Sequence, residues 1–454
     1  MTLAENVARF SQNVTYESLP EAVKAKAKGH ILDTIGVLIA ATDDNLMNIL
    51  AGFLDDLGSG SNDATILGNG RKTEVSTAAL INGTLSHGLD YDDSSWKLIG
   101  HPSAAVLPAV LALAEKLNSS GKDILTAYVV GVEVLCKLGA KAEPNLYQAG
   151  WHATGVAGVL GATVASTYLL KLTEAQTSTA LGIAASMAAG LRQNFGTLTK
   201  PFHAGAAARN GITAALLAKN GFTSNLSSLE GAAGFFHNFA TGTETSSSDL
   251  NFGAPYDVDD PGFFVKPFPC CAATHTGIEA TLNLVNKYDL KPENVAKVSI
   301  GSGPVGPIML VYHQPNAGFE GKFSMPFTAA MAIKYREVGL NCFTDANVND
   351  PVVKNIIANT EFGPDPKFAD RSIDEAPAIV TITTTDGKEY TECVEEPLGS
   401  PKNPMSTEDL CNKFKDCAKV CLSENQINEA INLLLNLENV KTYEELLKTL
   451  VPKN

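Results

Sequence analysis

The run WHATGVAGVLGATVASTYLL, residues 151–170, constrains the fold more than any other stretch. It carries no Asp, Glu, Lys or Arg, and Gly155, Gly158 and Gly161 recur one helical turn apart. A second set of small residues, Ala184, Ala185, Ala188 and Ala189, follows in STALGIAASMAAG. Side chains this small let helix axes approach closely, so the chain is expected to build a tight helical core. The length of the run would also suit a membrane span. It is rich in Ala, Gly, Thr and Ser, however, carries His152 and stands alone, so a helix buried in protein is the expectation. Neither GxGxxG nor GxxxxGK follows a strand here, which argues against a phosphate loop.

Helical patterning extends through the first 250 residues. After Leu19-Pro20, EAVKAKAKGHILDTIGVLIAAT repeats apolar residues at helical spacing, as do HPSAAVLPAVLALAEKL (101–117) and ILTAYVVGVEVLCKLGA (124–140). Thr173 opens TEAQ, a capping box with Thr at the N-cap and Gln at N3. The pattern changes at NFGAPYDVDDPGFF, which reads as a loop. VAKVSIGSG (295–303) then reads as a strand, and AIVTITTTDGKEYTECV (378–394) alternates around Asp386-Gly387, a hairpin signal. Between them MPFTAAMAIKYREV (325–338) reads as a helix. From Ser406 the pattern is helical again, in STED and NQINEAINLLLNL. The expected fold is therefore mainly α. A large all-helical domain of residues 1–257 and 397–454 is interrupted by a smaller α+β domain of residues 258–396.

A hydrophobic content of 44% with 18% charged residues is globular. A net charge of −15 disfavours nucleic acid and anionic membranes as partners. The N-terminal MTLAENVARFSQN has no basic segment followed by an apolar core, so no secretory signal is expected. Eight cysteines without a CxxC pair are too sparse for a disulfide scaffold and fit a reducing cytoplasm; Cys417 and Cys421, one helical turn apart, fit core packing. For a eukaryotic chain a mitochondrial destination is the alternative, although no clear transit peptide is visible.

Chemistry-bearing residues gather in three places. SHGLDYDDSSWKLIGHPSAA (86–105) holds His87, Asp90, Asp92, Asp93 and His101. These are metal-ligating types, but there is no HxH, HExxH or HxxxH, and Asp92 or Asp93 would serve equally as helix caps. LRQNFGTLTKPFHAGAAARNG (191–211) holds Arg192, Lys200, His203 and Arg209 and no carboxylate, as an anion site requires. Structural ion pairing of the arginines is the alternative. FFVKPFPCCAATHTG holds Lys266, the Cys270-Cys271 pair and His275. A Cys/His nucleophile is conceivable there, but a buried pair in a Pro-rich turn is the simpler reading, and no GxSxG elbow occurs. General acid–base chemistry remains, with His101, His152, Lys200, Lys266 and Asp90 as candidates. Spacing alone does not single them out, because His30, His87, His203, His237, His275 and His313 are equally titratable.

Seven blocks resolve this ambiguity by resemblance: ILDTIGVLIAA (31–41), NGTLSHGLDYDDS (82–94), GHPSAAVLPAVLALAE (100–115), GWHATGVAGVLGATVA (150–165), GTLTKPFHAGAAARNG (196–211), VKPFPCCAATH (265–275) and KFSMPFTAAMA (322–332). In this order they resemble the MmgE/PrpD family, whose members act on 2-methylcitrate, cis-aconitate and iminodisuccinate. The resemblance implies a discontinuous helical domain with an α+β lid, a homodimer, and a site at the domain boundary that needs neither cofactor nor metal. It places the site aspartate on Asp90, the site histidines on His101 and His152, and the site lysines on Lys200 and Lys266. Asp92, Asp93 and His87 then become loop and capping residues. The expected activity is a cofactor-free lyase, dehydratase or decarboxylase, on a small di- or tricarboxylate. An epimerase and a non-enzymatic carboxylate binder are the alternatives. In this scheme the lysines neutralise carboxylates, the two histidines move protons, and Asp90 orients an imidazole. Gln193, Asn194, Thr197 and His203 are the expected substrate-binding residues.

Overall fold

The computed structural model describes residues 1–58, 60–243, 245–246, 249–372 and 375–453. By its internal contacts the chain divides into two units. The larger comprises Met1–Gly88, Asp92–Val265 and Ser406–Asn454, and the smaller comprises Leu89–Tyr91 and Lys266–Met405. The secondary structure is mainly helical with a minor sheet, as the patterning predicts.

Buried helices form the centre of the larger unit: Glu21–Ala40, Val75–Gly88, Pro102–Leu117, Gly121–Ala142, Gly158–Leu169 and Thr199–Lys219. Most of the run 151–170 becomes the helix Gly158–Leu169, buried along nearly its whole length. No single helix among the described residues is long and apolar enough to cross a membrane. The glycines have the packing role their spacing suggests. A Cβ on Gly161 would sit 2.6 Å from the Gly131 carbonyl oxygen, and one on Gly158 would sit 2.7 Å from Ala105 Cβ. Gly158–Leu169 therefore fits against Gly121–Ala142 and Pro102–Leu117 only because those side chains are missing.

A second crossing of this kind positions chemistry. A Cβ on Gly83 would sit 2.7 Å from Gly205 Cα, and one on Gly205 would sit 2.1 Å from the Leu80 carbonyl oxygen. The helices Val75–Gly88 and Thr199–Lys219 thus meet backbone to backbone. His87 lies one turn beyond Gly83, while Lys200 and His203 precede Gly205 on the partner helix.

Helix ends follow the sequence signals closely. Thr173 Oγ1 accepts from Gln176 N at 3.2 Å and Gln176 Oε1 accepts from Thr173 N at 3.1 Å, closing the capping box. Matching boxes, Ser406 with Asp409 and Ser423 with Gln426, open Thr407–Ala418 and Glu424–Leu435 in the returning C-terminal segment. That segment is fastened by Lys413, whose Nζ lies 2.6 Å from the buried Asp33 carboxylate of Glu21–Ala40. A two-residue antiparallel pair, β1 (Ala64–Thr65) and β2 (Lys72–Thr73), completes the unit's regular structure.

The smaller unit holds a four-stranded sheet in the order β4-β3-β5-β6, with β3 Val295–Ser302, β4 Thr360–Pro364, β5 Ala378–Thr384 and β6 Glu389–Val394. β3 pairs antiparallel with β5 and parallel with β4. β5 and β6 form the hairpin signalled by Asp386-Gly387, where Gly387 takes a φ of +83° that favours glycine. Residues of β5 are alternately buried and half-buried, and the buried Ala378, Val380 and Ile382 face a core shared with the helices His275–Tyr288 and Met325–Tyr335.

Candidate active site

In the larger unit, two of the expected histidines occupy equivalent local positions. His101 is the N-cap of Pro102–Leu117, and His152 is the N-cap of the short helix Ala153–Val156. Neither side chain caps its own helix, so both imidazoles are available for tertiary contacts. The His101 backbone N–H donates to Thr154 Oγ1 at 3.0 Å, tying the two N-termini together. His152 N–H donates to the Gly190 carbonyl at 2.9 Å.

The rings form a buried row. The centroids of His87 and His101 are 4.2 Å apart, those of His87 and His152 5.8 Å, and those of His152 and His203 5.3 Å. His152 and His203 share an Nδ1–Nδ1 hydrogen bond of 3.1 Å, so one of these nitrogens donates and the other accepts. Phe195 meets the His152 ring edge to face at 4.9 Å. Gly190, at φ +140°, leaves room for this pair, since a Cβ there would lie 3.3 Å from His203 Cγ.

Asp92 organises the other end of the row. His87 Nδ1 lies 3.0 Å from both Asp92 oxygens, and His101 Nδ1 lies 3.1 Å from Asp92 Oδ2. His101 Nδ1 also lies 2.9 Å from the Asp93 carbonyl oxygen. The Asp93 carboxylate accepts from Ser103 N at 3.2 Å and Ser103 Oγ at 2.5 Å, capping the first turn of Pro102–Leu117 from outside that helix. The family resemblance gives imidazole orientation to Asp90 and treats Asp92 as a loop or capping residue. In the structure Asp92 lies against Nδ1 of both His87 and His101, and Asp93 has the capping role.

Lys200 lies in the first turn of Thr199–Lys219, where Leu198 provides no side-chain cap. Its ammonium is buried and 5.3 Å from the Phe195 ring. A lysine at a helix N-terminus adds its charge to the positive end of the helix dipole, an arrangement that favours a bound anion. Burial pushes His87 down to about 3 and His203 down to about 4, with Lys200 adding to both shifts. His152 is held well below the usual imidazole range by burial and by its charged and imidazole neighbours. Burial acts to raise the Asp92 carboxyl, but His87 and His101 outweigh it and hold it well below the usual carboxylate range.

The remaining larger-unit candidates are less enclosed. Gln193 and Thr197 are exposed and Asn194 is half-buried, in the turn leading into Thr199–Lys219, where Thr197 Oγ1 donates to the Asn194 carbonyl at 2.8 Å. The arginines of this stretch have structural partners. Arg192 stacks on Tyr147 at 3.4 Å and donates to its carbonyl at 2.6 Å, while Arg209 Nε donates to Asn210 Oδ1 at 3.3 Å.

In the smaller unit, Lys266 Nζ donates to the Asp90 carbonyl at 2.8 Å and to Asp90 Oδ1 at 3.1 Å, and both residues are buried. Asp90 has a φ of 54°, a left-handed conformation that Asp tolerates better than most side chains. Two further contacts hold the tripeptide Leu89–Tyr91. Tyr91 OH donates to the Pro267 carbonyl at 3.2 Å, and the buried Lys322 donates to the Leu89 carbonyl. Sequence reasoning missed Lys322, although it stands inside the block KFSMPFTAAMA; a lone lysine between apolar residues was the available signal. Cys270 Sγ lies 3.9 Å from His275 Nε2, the pairing the sequence raised. Burial pushes its thiol up to about 12, and its Sγ lies 3.0 Å from Thr274 Oγ1.

His87, Asp92 and His101 are also metal-ligating types, but each Nδ1 here is engaged by Asp92. The arrangement suits proton transfer beside an anion: clustered imidazoles, one fixed carboxylate and a buried lysine.

Residues 5–248 match the model of the MmgE/PrpD N-terminal domain, and residues 268–439 match that of the MmgE/PrpD C-terminal domain. The chain is 29% identical to cis-aconitate decarboxylase of Homo sapiens, across 97% of this chain and 92% of that protein. It is 27% identical to the Mus musculus cis-aconitate decarboxylase, across 97% and 91%. It is 26% identical to that of Aspergillus terreus, across 99% and 96%.

Proposed function

The chain belongs to the MmgE/PrpD family, and on that premise we propose that it is a lyase of small polycarboxylates, with decarboxylation of cis-aconitate as the specific reaction. The observation that carries the chemistry is the buried row of imidazoles beside Lys200 at a helix N-terminus. The name shared by the relatives supports the choice of decarboxylation over dehydration.

In this reading Lys200 binds a substrate carboxylate, and Lys266 is the second lysine that the family resemblance assigns to carboxylate binding. Departure of CO₂ breaks a carbon–carbon bond and leaves its electron pair on the carbon skeleton, delocalised into an adjacent carboxylate. An ammonium held against that carboxylate stabilises the developing charge. A proton delivered to carbon by His101 or His152 completes the exchange, and no external oxidant or reductant enters. Asp90 holds Lys266 in place. The enzyme acts as a homodimer in a reducing cytoplasm, supported by the exposed apolar side chains Leu191, Leu198 and Phe202 and by eight cysteines that form no CxxC pair.

The test is CO₂ release from cis-aconitate, run beside dehydration of 2-methylcitrate and epimerisation of an iminodisuccinate-type dicarboxylate. Turnover of cis-aconitate should survive chelator and fall on the order of 10²-fold or more in His101→Gln, Lys200→Met and Lys266→Ala. Turnover of another acid alone moves the assignment to that reaction. Failure on all three, with no thermal shift in excess tricarboxylate, overturns the lyase reading. Activity lost to chelator and restored by one divalent ion would return His87, Asp92 and His101 to the role of ligands.

A further inference from the structure

We propose that Asp92 is the positioning residue of the reaction: its carboxylate clamps the Nδ1 sides of His87 and His101 and so fixes the tautomer that His101 presents to the chemistry. The proposal rests on the lyase reading for its catalytic consequence, but the clamp itself can be measured without turnover.

The argument turns on which atoms can donate. His101 Nδ1 faces two oxygens, the Asp93 carbonyl at 2.9 Å and Asp92 Oδ2 at 3.1 Å. A carbonyl oxygen accepts and cannot donate, and an ionised carboxylate does the same. The hydrogen of a neutral His101 must therefore sit on Nδ1, and its lone pair must sit on Nε2. His87 Nδ1 meets both Asp92 oxygens at 3.0 Å, so its hydrogen is fixed on the same side. His87 Nε2 is buried with no hydrogen-bond partner among the described residues, which a nitrogen lacking a hydrogen tolerates better than a stranded N–H. Asp92 is fully buried, and three short contacts to two rings leave it little rotational freedom.

His87 then has a definite part. It is 4.2 Å from His101 between ring centroids and is too poor a base to compete for the proton near neutrality. It holds the second oxygen of Asp92, so that the carboxylate cannot swing away from His101. Asp92 touches rings rather than substrate and acts through them.

Replacing the carboxylate by an amide makes a specific prediction. Asparagine offers one accepting oxygen and one donating NH₂ where aspartate offers two acceptors. The NH₂ faces a nitrogen that carries a hydrogen, so one ring in Asp92→Asn must move its hydrogen to Nε2 or rotate. Long-range ¹H–¹⁵N spectra of histidine-labelled protein report the tautomer of each ring, with His87→Gln and His101→Gln giving the assignments. Wild type should show both rings as Nδ1–H, and Asp92→Asn should convert one of them. With cis-aconitate, Asp92→Asn should lower kcat on the order of 10- to 100-fold with KM within about threefold, and Asp92→Glu should recover part of the loss. A purely structural aspartate would lower thermal stability without changing the tautomers or separating kcat from KM.

The proposal is overturned if wild-type His101 carries its hydrogen on Nε2, or if Asp92→Asn keeps wild-type kcat and tautomers. Should Asp92→Asn fail to fold, the wild-type spectrum alone still decides. If none of the acids is turned over, the lyase reading fails while the tautomer result stands independently.

Discussion

Four buried imidazoles would be chemically interchangeable in water; here their partners make them different. His101 and His87 answer to Asp92, while His152 and His203 answer to each other and to Lys200. The depressed rings bear on stability. His203 titrates near 4 in the folded chain against 6.5 as its ordinary value, so the unfolded chain takes up its proton first as pH falls. Its contribution is therefore complete above about pH 6.5 and is lost as pH falls through about 4. The gap in Tm between wild type and His203→Asn should accordingly shift against wild type between pH 7 and pH 4, read by calorimetry at matched ionic strength. A constant gap would show that His203 titrates normally. At this scale the sequence offered residue types and, through resemblance, the positions His101, His152, Lys200 and Lys266. It did not reveal that Asp92 would face His87 and His101 while Asp93 meets His30 at 3.0 Å.

Helices and hairpins were more legible because their signals are local. The capping box at Thr173 and the glycine of Asp386-Gly387 specify a start and a turn within four residues. β4 (Thr360–Pro364) went unnoticed, since TEFGP has neither strict alternation nor an apolar run and gains its place by pairing with β3. The crossing of Val75–Gly88 with Thr199–Lys219 was likewise invisible, because the meeting of Gly83 and Gly205 is a long-range contact. Gly205→Val should force these helices apart, costing about 1–3 kcal/mol in denaturant unfolding and lowering turnover by displacing Lys200 and His203 from His87. Gly52→Ala is the control. It lies in the helix Asn45–Leu57 with nothing within 4 Å of an added Cβ, and it should stabilise by about 0.5–1 kcal/mol without affecting activity. Equal effects from the two substitutions would argue that the crossing is not tight in solution.

Over the whole molecule, the return of a helical pattern after Ser406 was readable, but its fastening was not. The Asp33–Lys413 pair joins residues far apart in sequence, and no periodicity encodes it. Assembly is open to direct measurement. Light scattering on the eluting protein should give twice the chain mass, and Leu198→Asp with Phe202→Asp, both 40% exposed in the single chain, should shift it toward one. A wild-type mass of one chain at micromolar concentration would remove the dimer. Lys200 carries a different consequence. A cation in the first turn of a helix opposes the dipole, and burial of its ammonium costs solvation, so every rule for strengthening that helix would select against it. Engineering aimed only at heat tolerance would choose this position for an acidic or apolar replacement, and would return a sturdier protein with nothing left to hold an acid.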